Sequence, residues 1–243
     1  MKIEFREGPV DRVQTPFLAV YGFEGGPVSS GSAGELPGET RKMLEGLHAA
    51  GDLTGKALEC TLIHHPPGLA AQRLLFIGAG KEENFLPPHM ARWTGTAVRY
   101  ARAKGFHEVC WLGDPATMKN LQHGAEGAIF ADYDADKYRS DRNSERRIDR
   151  FLILSGSEKP GQPEHAAVER GRMIAESANF TRDLVNEPSN LMTPSILAAS
   201  ATEMAKEFGL ESQVLGPEEI RALKMNAFWA VAQGSDEPPR LIV

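Results

Sequence analysis

The residues able to do chemistry are few and scattered. His107-Glu108 opens like the H-E-x-x-H of a zinc helix, where two imidazoles four apart share a face and the glutamate acts as base. The position four beyond His107 is Trp111, so the second ligand is missing. His64 and His65 could ligate a metal, but Pro66 and Pro67 follow them, and the pair is expected to end a strand. The run Asp132-Tyr133-Asp134-Ala135-Asp136 starts like a calcium loop, which needs glycine at its sixth position and an acid at its twelfth. Lys137 and Asn143 stand there, and the site is rejected. Gly78-Ala79-Gly80-Lys81 follows an apolar run and could turn its amides toward a phosphate. It lacks the spaced first glycine and the Ser/Thr of a P-loop, and the third glycine of a dinucleotide loop. A plain tight turn is the expectation. There is no G-x-S-x-G to hold a nucleophilic serine.

Two cysteines, Cys60 and Cys110, each sit in an apolar, strand-like run and belong to no C-x-x-C. Buried free thiols in a reducing compartment are expected. The N-terminus MKIEFREGPV has no apolar core of a signal peptide, and no run approaches the ~18 apolar residues that span a bilayer. Residues 1–160 carry 20 Lys/Arg against 21 Asp/Glu, and residues 161–243 carry 7 against 12. Neither part has the basic footprint of non-specific nucleic-acid binding.

The first part alternates strand and helix signals. Residues 1–5, 17–23, 58–65, 73–79, 108–112 and 149–154 read as strands; the run Phe151-Leu152-Ile153-Leu154 has the pattern of one buried on both faces. Residues 40–50, 87–105 and 118–130 read as helices, the second opening on Pro87-Pro88 and stopped by Gly105. Such alternation predicts a layered α/β domain. Residues 28–39 are a Gly/Ser-rich loop, and residues 133–150 interleave both charge signs in the manner of a solvated connection.

Residues 155–163 (SGSEKPGQP) read as a linker. They set two domains: 1–158, complete, and 159–243, the beginning of a second, incomplete one. A helix over 165–185 carries a stripe of small residues (Ala167, Gly171, Ile174, Ala175, Ala178) and ends at Pro188. Thr193 caps the next helix, Pro194 is its first residue, and Gly209 its stop. Leu197, Ala201, Met204, Ala205 and Phe208 are expected to form its buried stripe. Residues 212–215, 227–232 and 241–243 are strand-like, with a helix opened by Gly216-Pro217-Glu218-Glu219 between the first two. An apolar strand at the chain's end leaves an unpaired edge, a liability for a closed domain.

The most distinctive stretch is 181–243. Arg182-Asp183-Leu184-Val185-Asn186-Glu187-Pro188, then Leu191 to Pro194, then Ala232-Gln233-Gly234-Ser235 with Pro238-Pro239-Arg240-Leu241-Ile242-Val243, closely resemble the leucyl aminopeptidase family of metallopeptidases in order and spacing. Residues 73–81 and 133–140 are similar to that family's N-terminal domain, less specifically. The resemblance implies an N-terminal macro-like α/β/α domain followed by the opening helices and strands of an α/β metallo-exopeptidase domain. It implies a cytoplasmic hydrolase, usually a hexamer, that removes N-terminal residues from peptides with two divalent metal ions (manganese or zinc), preferring apolar ones.

The family's metal ligands, a lysine and several carboxylates, lie beyond the strand with which these residues end. No position here matches one, so no catalytic, metal or cofactor-binding residue is assigned, and the chain alone is expected to be inactive. The RDLVNEP run itself reads as structural. The alternative reading is a macro-like binding module for a nucleotide derivative, using residues 78–81 or 25–34, or a regulatory or assembly domain. Overall acidity argues against the DNA binding some family members show.

Overall fold

The computed structural model describes residues 1–26, 28, 30–113, 118–140, 147–155 and 159–243. The elements in chain order are β1 (Lys2–Arg6), β2 (Leu18–Gly22), α1 (Gly38–Ala50), β3 (Cys60–His64), β4 (Arg73–Gly78), α2 (His89–Ala103), β5 (Glu108–Leu112), α3 (Met118–Asp132), β6 (Arg150–Leu154), α4 (Gln162–Val185), α5 (Pro194–Phe208), β7 (Val214–Leu215), α6 (Pro217–Ala222), α7 (Asn226–Ala232) and β8 (Leu241–Ile242). They fall into two compact units, Met1–Asn179 and Phe180–Val243.

In the first unit the apolar runs become one sheet of order β1-β6-β5-β2-β4-β3, parallel throughout except for β3, which pairs antiparallel with β4 at the edge. Central strands with no polar position must be covered on both faces. Side-chain alternation does this: Ala19 and Tyr21 of β2 and Leu75 and Ile77 of β4 enter one core, while Leu18, Val20, Leu74 and Phe76 enter the other. The first core is covered by α2 and α3, with Val168 of α4; the second is covered by Leu44 of α1 and by Val28, Ala33 and Leu36 of the loop before it. The result is the expected α/β/α sandwich. Within the first core, Tyr21 stacks on Trp93 at 4.6 Å between centroids and lies parallel to Trp111 at 5.9 Å. Cys60 packs against the first core and Cys110 lies in the second, so the sheet separates the two free thiols. Burial pushes the Cys110 thiol up to about 12.

The helices over the first core approach unusually closely. A Cβ on Gly127 of α3 would stand 2.0 Å from the Ala91 carbonyl oxygen of α2, and one on Gly171 of α4 would stand 2.3 Å from the Gln122 carbonyl oxygen of α3. The small-residue stripe of α4 is thus used at Gly171 and Ala175, which are buried together with Val168 from outside it, whereas Ile174 is exposed. This packing carries most of α4 into the first unit. The units therefore divide at 179/180, while the expected boundary at 158/159 falls beside residues 156–158, outside the described ones. The tail of the expected linker, Gln162 and Pro163, is the first turn of α4.

The charged stretch after α3 does more than meet solvent. Arg102, buried at the end of α2, donates to the carbonyls of Ala131 (3.2 Å) and Asp132 (3.0 Å), the last of α3, and pairs with Asp132 and Asp134. A cation there satisfies carbonyls that have no partner within their own helix. Arg99 pairs with Asp134 at 3.0 Å and Arg147 with Asp136 at 3.7 Å. Burial lifts the Asp132 carboxyl above its ordinary range, whereas Asp134, also partly desolvated, is held below it by Arg102 and Arg99.

The second unit follows its capping signals closely. The Thr193 hydroxyl accepts from the Ile196 amide at 3.3 Å, Gly209 ends α5 at φ 67°, and the Glu219 carboxylate accepts from the Gly216 amide at 2.5 Å. Its side-chain burial departs from expectation. On α5, Ala198 and Ala205 are buried, while Leu197 and Phe208 are exposed. Helix periodicity marks an apolar face, but burial needs a surface to meet it, and this unit offers only the β7-β8 ribbon and short helices. Residues 227–232, expected as a strand, are helix α7. An apolar run this short has no discriminating period, and Ala227, Ala230 and Ala232 favour helix. The Arg221 guanidinium lies 3.7 Å over the Trp229 ring and ties α7 to α6.

Two stability tests follow from this packing. Gly→Ala inside a helix ordinarily stabilises by about 0.5–1 kcal/mol. Gly46→Ala in α1, where nothing lies within 4 Å of the new Cβ, should raise the urea midpoint. Gly127→Ala should instead lower it, by an overpacking cost of about 1–3 kcal/mol. Equal effects of the two substitutions would refute the close approach of α2 and α3. The second test concerns Glu59. Burial would raise its carboxyl, but the amides of Thr54 (2.8 Å) and Gly55 (2.9 Å), the Thr54 hydroxyl (2.9 Å) and nearby Lys56 outweigh that and hold it below the ordinary range. A depressed carboxylate contributes stability above its unfolded pKa and loses it as pH falls through the folded one. The stability gap between wild type and Glu59→Gln should therefore be full at pH 7 and close progressively below about pH 4. A gap independent of pH in urea titrations would disprove this role.

Candidate functional site

A nucleotide-binding reading needs free backbone donors at the carboxyl ends of the strands. Residues 78–81 follow β4 at such an end. Three of their four amides are already used: Gly78 donates to the Glu59 carbonyl (2.8 Å), Ala79 to Gly22 (2.9 Å) and Gly80 to Gly55 (2.9 Å), while the Gly80 carbonyl accepts from Glu24. Gly80 adopts φ 78° and Gly55 the same value, the left-handed region that glycine tolerates. The turn is a clasp joining the ends of β2 and β4 to the segment before β3. A Cβ on Gly78 would stand 2.0 Å from the Lys56 carbonyl oxygen, so the glycine answers to that closeness. Lys81 points to solvent beside Glu83.

The second glycine-rich segment, 25–34, is also inward-looking among its described residues. The Ser32 hydroxyl accepts from the Tyr21 amide (3.0 Å), and that of Ser30 accepts from Phe23 (3.2 Å) and donates to the Gly26 carbonyl (2.9 Å). Pro27 and Ser29 lie outside the described residues.

Among the histidine and acidic candidates, His107, Glu108 and the three aspartates are committed to structure. His64 and His65 are exposed at the end of β3, where the His65 amide donates to the Gln72 carbonyl at 2.9 Å. The His107 imidazole meets the Arg147 carbonyl at 3.0 Å, and Glu108 accepts from Thr15 at 3.2 Å and pairs with Arg150. Asp132, Asp134 and Asp136 face arginines. Among the described residues, no three His, Cys, Asp or Glu side chains converge to hold a metal ion, and no helix is long and apolar enough to cross a membrane.

A buried acceptor that sequence reasoning missed is Asn120 Oδ1 in the first turn of α3, which has no hydrogen-bond partner among the described residues. Nothing in its spacing distinguishes it from an ordinary helical asparagine. A groove of about 670 Å³ runs over α2 and α3 past Gly95 and Gly127. It is the outer face of the close helix contact, and its lining is mostly apolar.

The RDLVNEP run ends α4 and turns the chain. The Asn186 amide donates to the Arg182 carbonyl at 2.9 Å, and both Leu191 and Met192 donate to the Pro188 carbonyl at 2.9 Å. Thr193 then starts α5. The motif thus sets a helix break, as its residue types suggest.

Likeness to known proteins extends over the whole chain. The family model for the N-terminal domain of the cytosol aminopeptidase family matches residues 18–142, and that for its catalytic domain matches residues 179–243. A probable cytosol aminopeptidase of Solibacter usitatus is 39% identical over 100% of this chain and 48% of its own length. One of Acidobacterium capsulatum is 38% identical over 100% of this chain and 50% of its own. The chain spans about half the length of the curated relatives it matches. In fold it resembles a tomato leucine aminopeptidase mutant (TM-score 0.81, 21% identity, 100% of this chain and 50% of that one). It also resembles the bottromycin maturation enzyme BotP in complex with Mn (TM-score 0.69, 21% identity, 96% and 44%). With its N-terminal and catalytic models matched in order along one chain, and an α/β/α unit of the same fold, the protein belongs to the cytosol aminopeptidase family.

Proposed function

We propose that these 243 residues are the N-terminal part of an aminopeptidase that removes N-terminal residues from peptides, prefers apolar ones, and works in the cytoplasm as a homo-oligomer, a hexamer by family resemblance. The observation that carries the reading is the order of the two family matches, N-terminal domain first and catalytic domain from residue 179. In this reading residues 1–158 are the N-terminal domain and residues 159–243 open the catalytic one, with the first turns of α4 laid back on the sheet they leave. The cofactors would be two divalent metal ions, manganese or zinc; a relative in fold whose structure is described as a complex with Mn supports manganese.

When bound, such ions hold the substrate amine, polarise its carbonyl and activate a bridging water. The described residues do not fit them, since no acidic or imidazole cluster converges. No catalytic step is assigned to this chain's side chains. Residues 78–81 offer little to a nucleotide, because the amides of Gly78, Ala79 and Gly80 already have partners.

Two measurements test this. The purified chain, given leucine p-nitroanilide with manganese or zinc, should show no turnover above the metal-only blank, beside the full-length Solibacter usitatus relative as positive control. Turnover comparable with that relative would overturn the proposal. Titration calorimetry with ADP-ribose should give no binding heat; saturable heat at micromolar concentration would restore the nucleotide module.

A further inference from the structure

The two outer strands of the six-stranded sheet are protected unequally. β1 ends one side with Lys2, Glu4 and Arg6, whose charges discourage a further strand. β3 ends the other with Cys60-Thr61-Leu62-Ile63-His64, which holds no Lys, Arg, Asp, Glu or Pro, and its register with β4 runs without a bulge. In an antiparallel ladder every second residue turns its N–H and C=O away from the neighbour. Two bonds beside β3 fix which ones: the Gly78 amide donates to the Glu59 carbonyl at 2.8 Å, and the His65 amide donates to the Gln72 carbonyl at 2.9 Å. Residues 59, 61, 63 and 65 therefore face β4, and Cys60, Leu62 and His64 turn their backbone groups outward. No described strand lies on that side. The side chains have their places already, Cys60 and Leu62 against the first core and Ile63 against the second. Among the described residues, what remains open is a row of three N–H and three C=O groups.

We propose that β3 pairs antiparallel with β3 of a second copy of this chain, across a two-fold axis at Leu62, and so joins two six-stranded sheets into one. Two features select a second copy. The outward residues are symmetric about Leu62. In this register Leu62 exchanges both bonds with its own copy and Cys60 exchanges both with His64 of the other, which meets every outward group of the row. The side chains brought opposite each other also agree: Leu62 meets Leu62, Thr61 meets Ile63 and Cys60 meets His64, with no like charges opposed. The charged β1 edge stops the joined sheet at two copies, whereas a chain with two open edges would propagate. The contact belongs to the first unit and is independent of the activity proposed above.

Residue-resolved amide exchange on the full chain, from dilute to concentrated, tests the pairing. The amides of Cys60, Leu62 and His64 should slow by at least tenfold with concentration, while those of Thr61 and Ile63, already bonded to β4, should not change. Sedimentation equilibrium should show a monomer–dimer equilibrium. Leu62→Pro removes an outward N–H, leaves the ladder to β4 intact and should weaken the dimer by at least tenfold. Leu62→Ala keeps that N–H and should weaken it by about fivefold at most. Circular dichroism checks that both variants fold. If Leu62→Pro does not, disulfide trapping decides, since the Cα atoms of such an opposed pair lie about 5.5 Å apart, within reach of a disulfide. Leu62→Cys in a Cys60→Ser background should cross-link two copies on oxidation. Thr61→Cys in the same background, offset from its own copy by two residues along the strand, should not. A chain that stays monomeric at millimolar concentration, association without alternating protection along β3, or association that survives Leu62→Pro unchanged would each overturn the proposal.

Discussion

The first unit depends on how closely three helices lie on one face of its sheet. Five strands run parallel, so the connections must cross over the faces, and the helices they contain must cover strands with no polar side. Four of the strands, β2, β4, β5 and β6, present aromatic and large aliphatic residues to the covering layer. Filling that layer with α2, α3 and α4 together forces backbones into contact. Gly127 against the Ala91 carbonyl and Gly171 against the Gln122 carbonyl are the points where this is resolved, because a Cβ at either would overlap the neighbouring backbone. A dense interior transmits such a clash instead of absorbing it. The position of α4, and hence the residue at which the first unit ends, follows from that contact.

Close helix packing brings helix ends together, and their carbonyls then need donors. Arg102 supplies them for the last turn of α3 while its charge is met by Asp132 and Asp134. A buried guanidinium is tolerable only when its charge is met and its hydrogen bonds are made. Asp132 and Asp134, two of the aspartates that imitate the start of a calcium loop, are explained by this need. Their spacing puts carboxylates beside an arginine that the sequence separates from them by 30 residues or more. The same economy governs the Gly78–Lys81 turn, where Glu59 organises the Thr54–Gly55 amides and the glycine amides are absorbed by neighbouring carbonyls.

Where the sequence carried a local signal, the structure follows it. Strands of alternating or unbroken apolar character, the Thr193 cap, the Gly209 stop and the small-residue stripe of α4 were legible because each is set by contacts within a few residues or by a repeating period. Two kinds of feature were not. Residues 226–232 form a helix although their apolar run reads equally as strand, since seven residues span too few periods to decide. The α5 stripe was recognisable as apolar but not as exposed, because burial is a property of what lies opposite, and Leu197 and Phe208 have too little opposite them. The Asn120 acceptor, without a partner among the described residues, has no sequence signature at all. The candidate sites were legible mainly by elimination: missing partner residues ruled out the zinc, calcium and P-loop readings, and the hydrogen bonds of Gly78, Ala79 and Gly80 account for the glycine turn.

The segment that identifies the family also sets a helix break. RDLVNEP is distinctive because it performs several structural tasks within seven residues. It completes the last turn of a 24-residue helix, stops it at a proline and delivers the chain to Thr193, with amides of Asn186, Leu191 and Met192 closing the turn. Such a break tolerates few residue types at each position: proline cannot continue the helix, and the turn after it must satisfy the amides it frees. A catalytic constellation is recognised by the convergence in space of groups that can be far apart in sequence. Within the described residues nothing converges. Family membership follows instead from local backbone constraints that these residues contain.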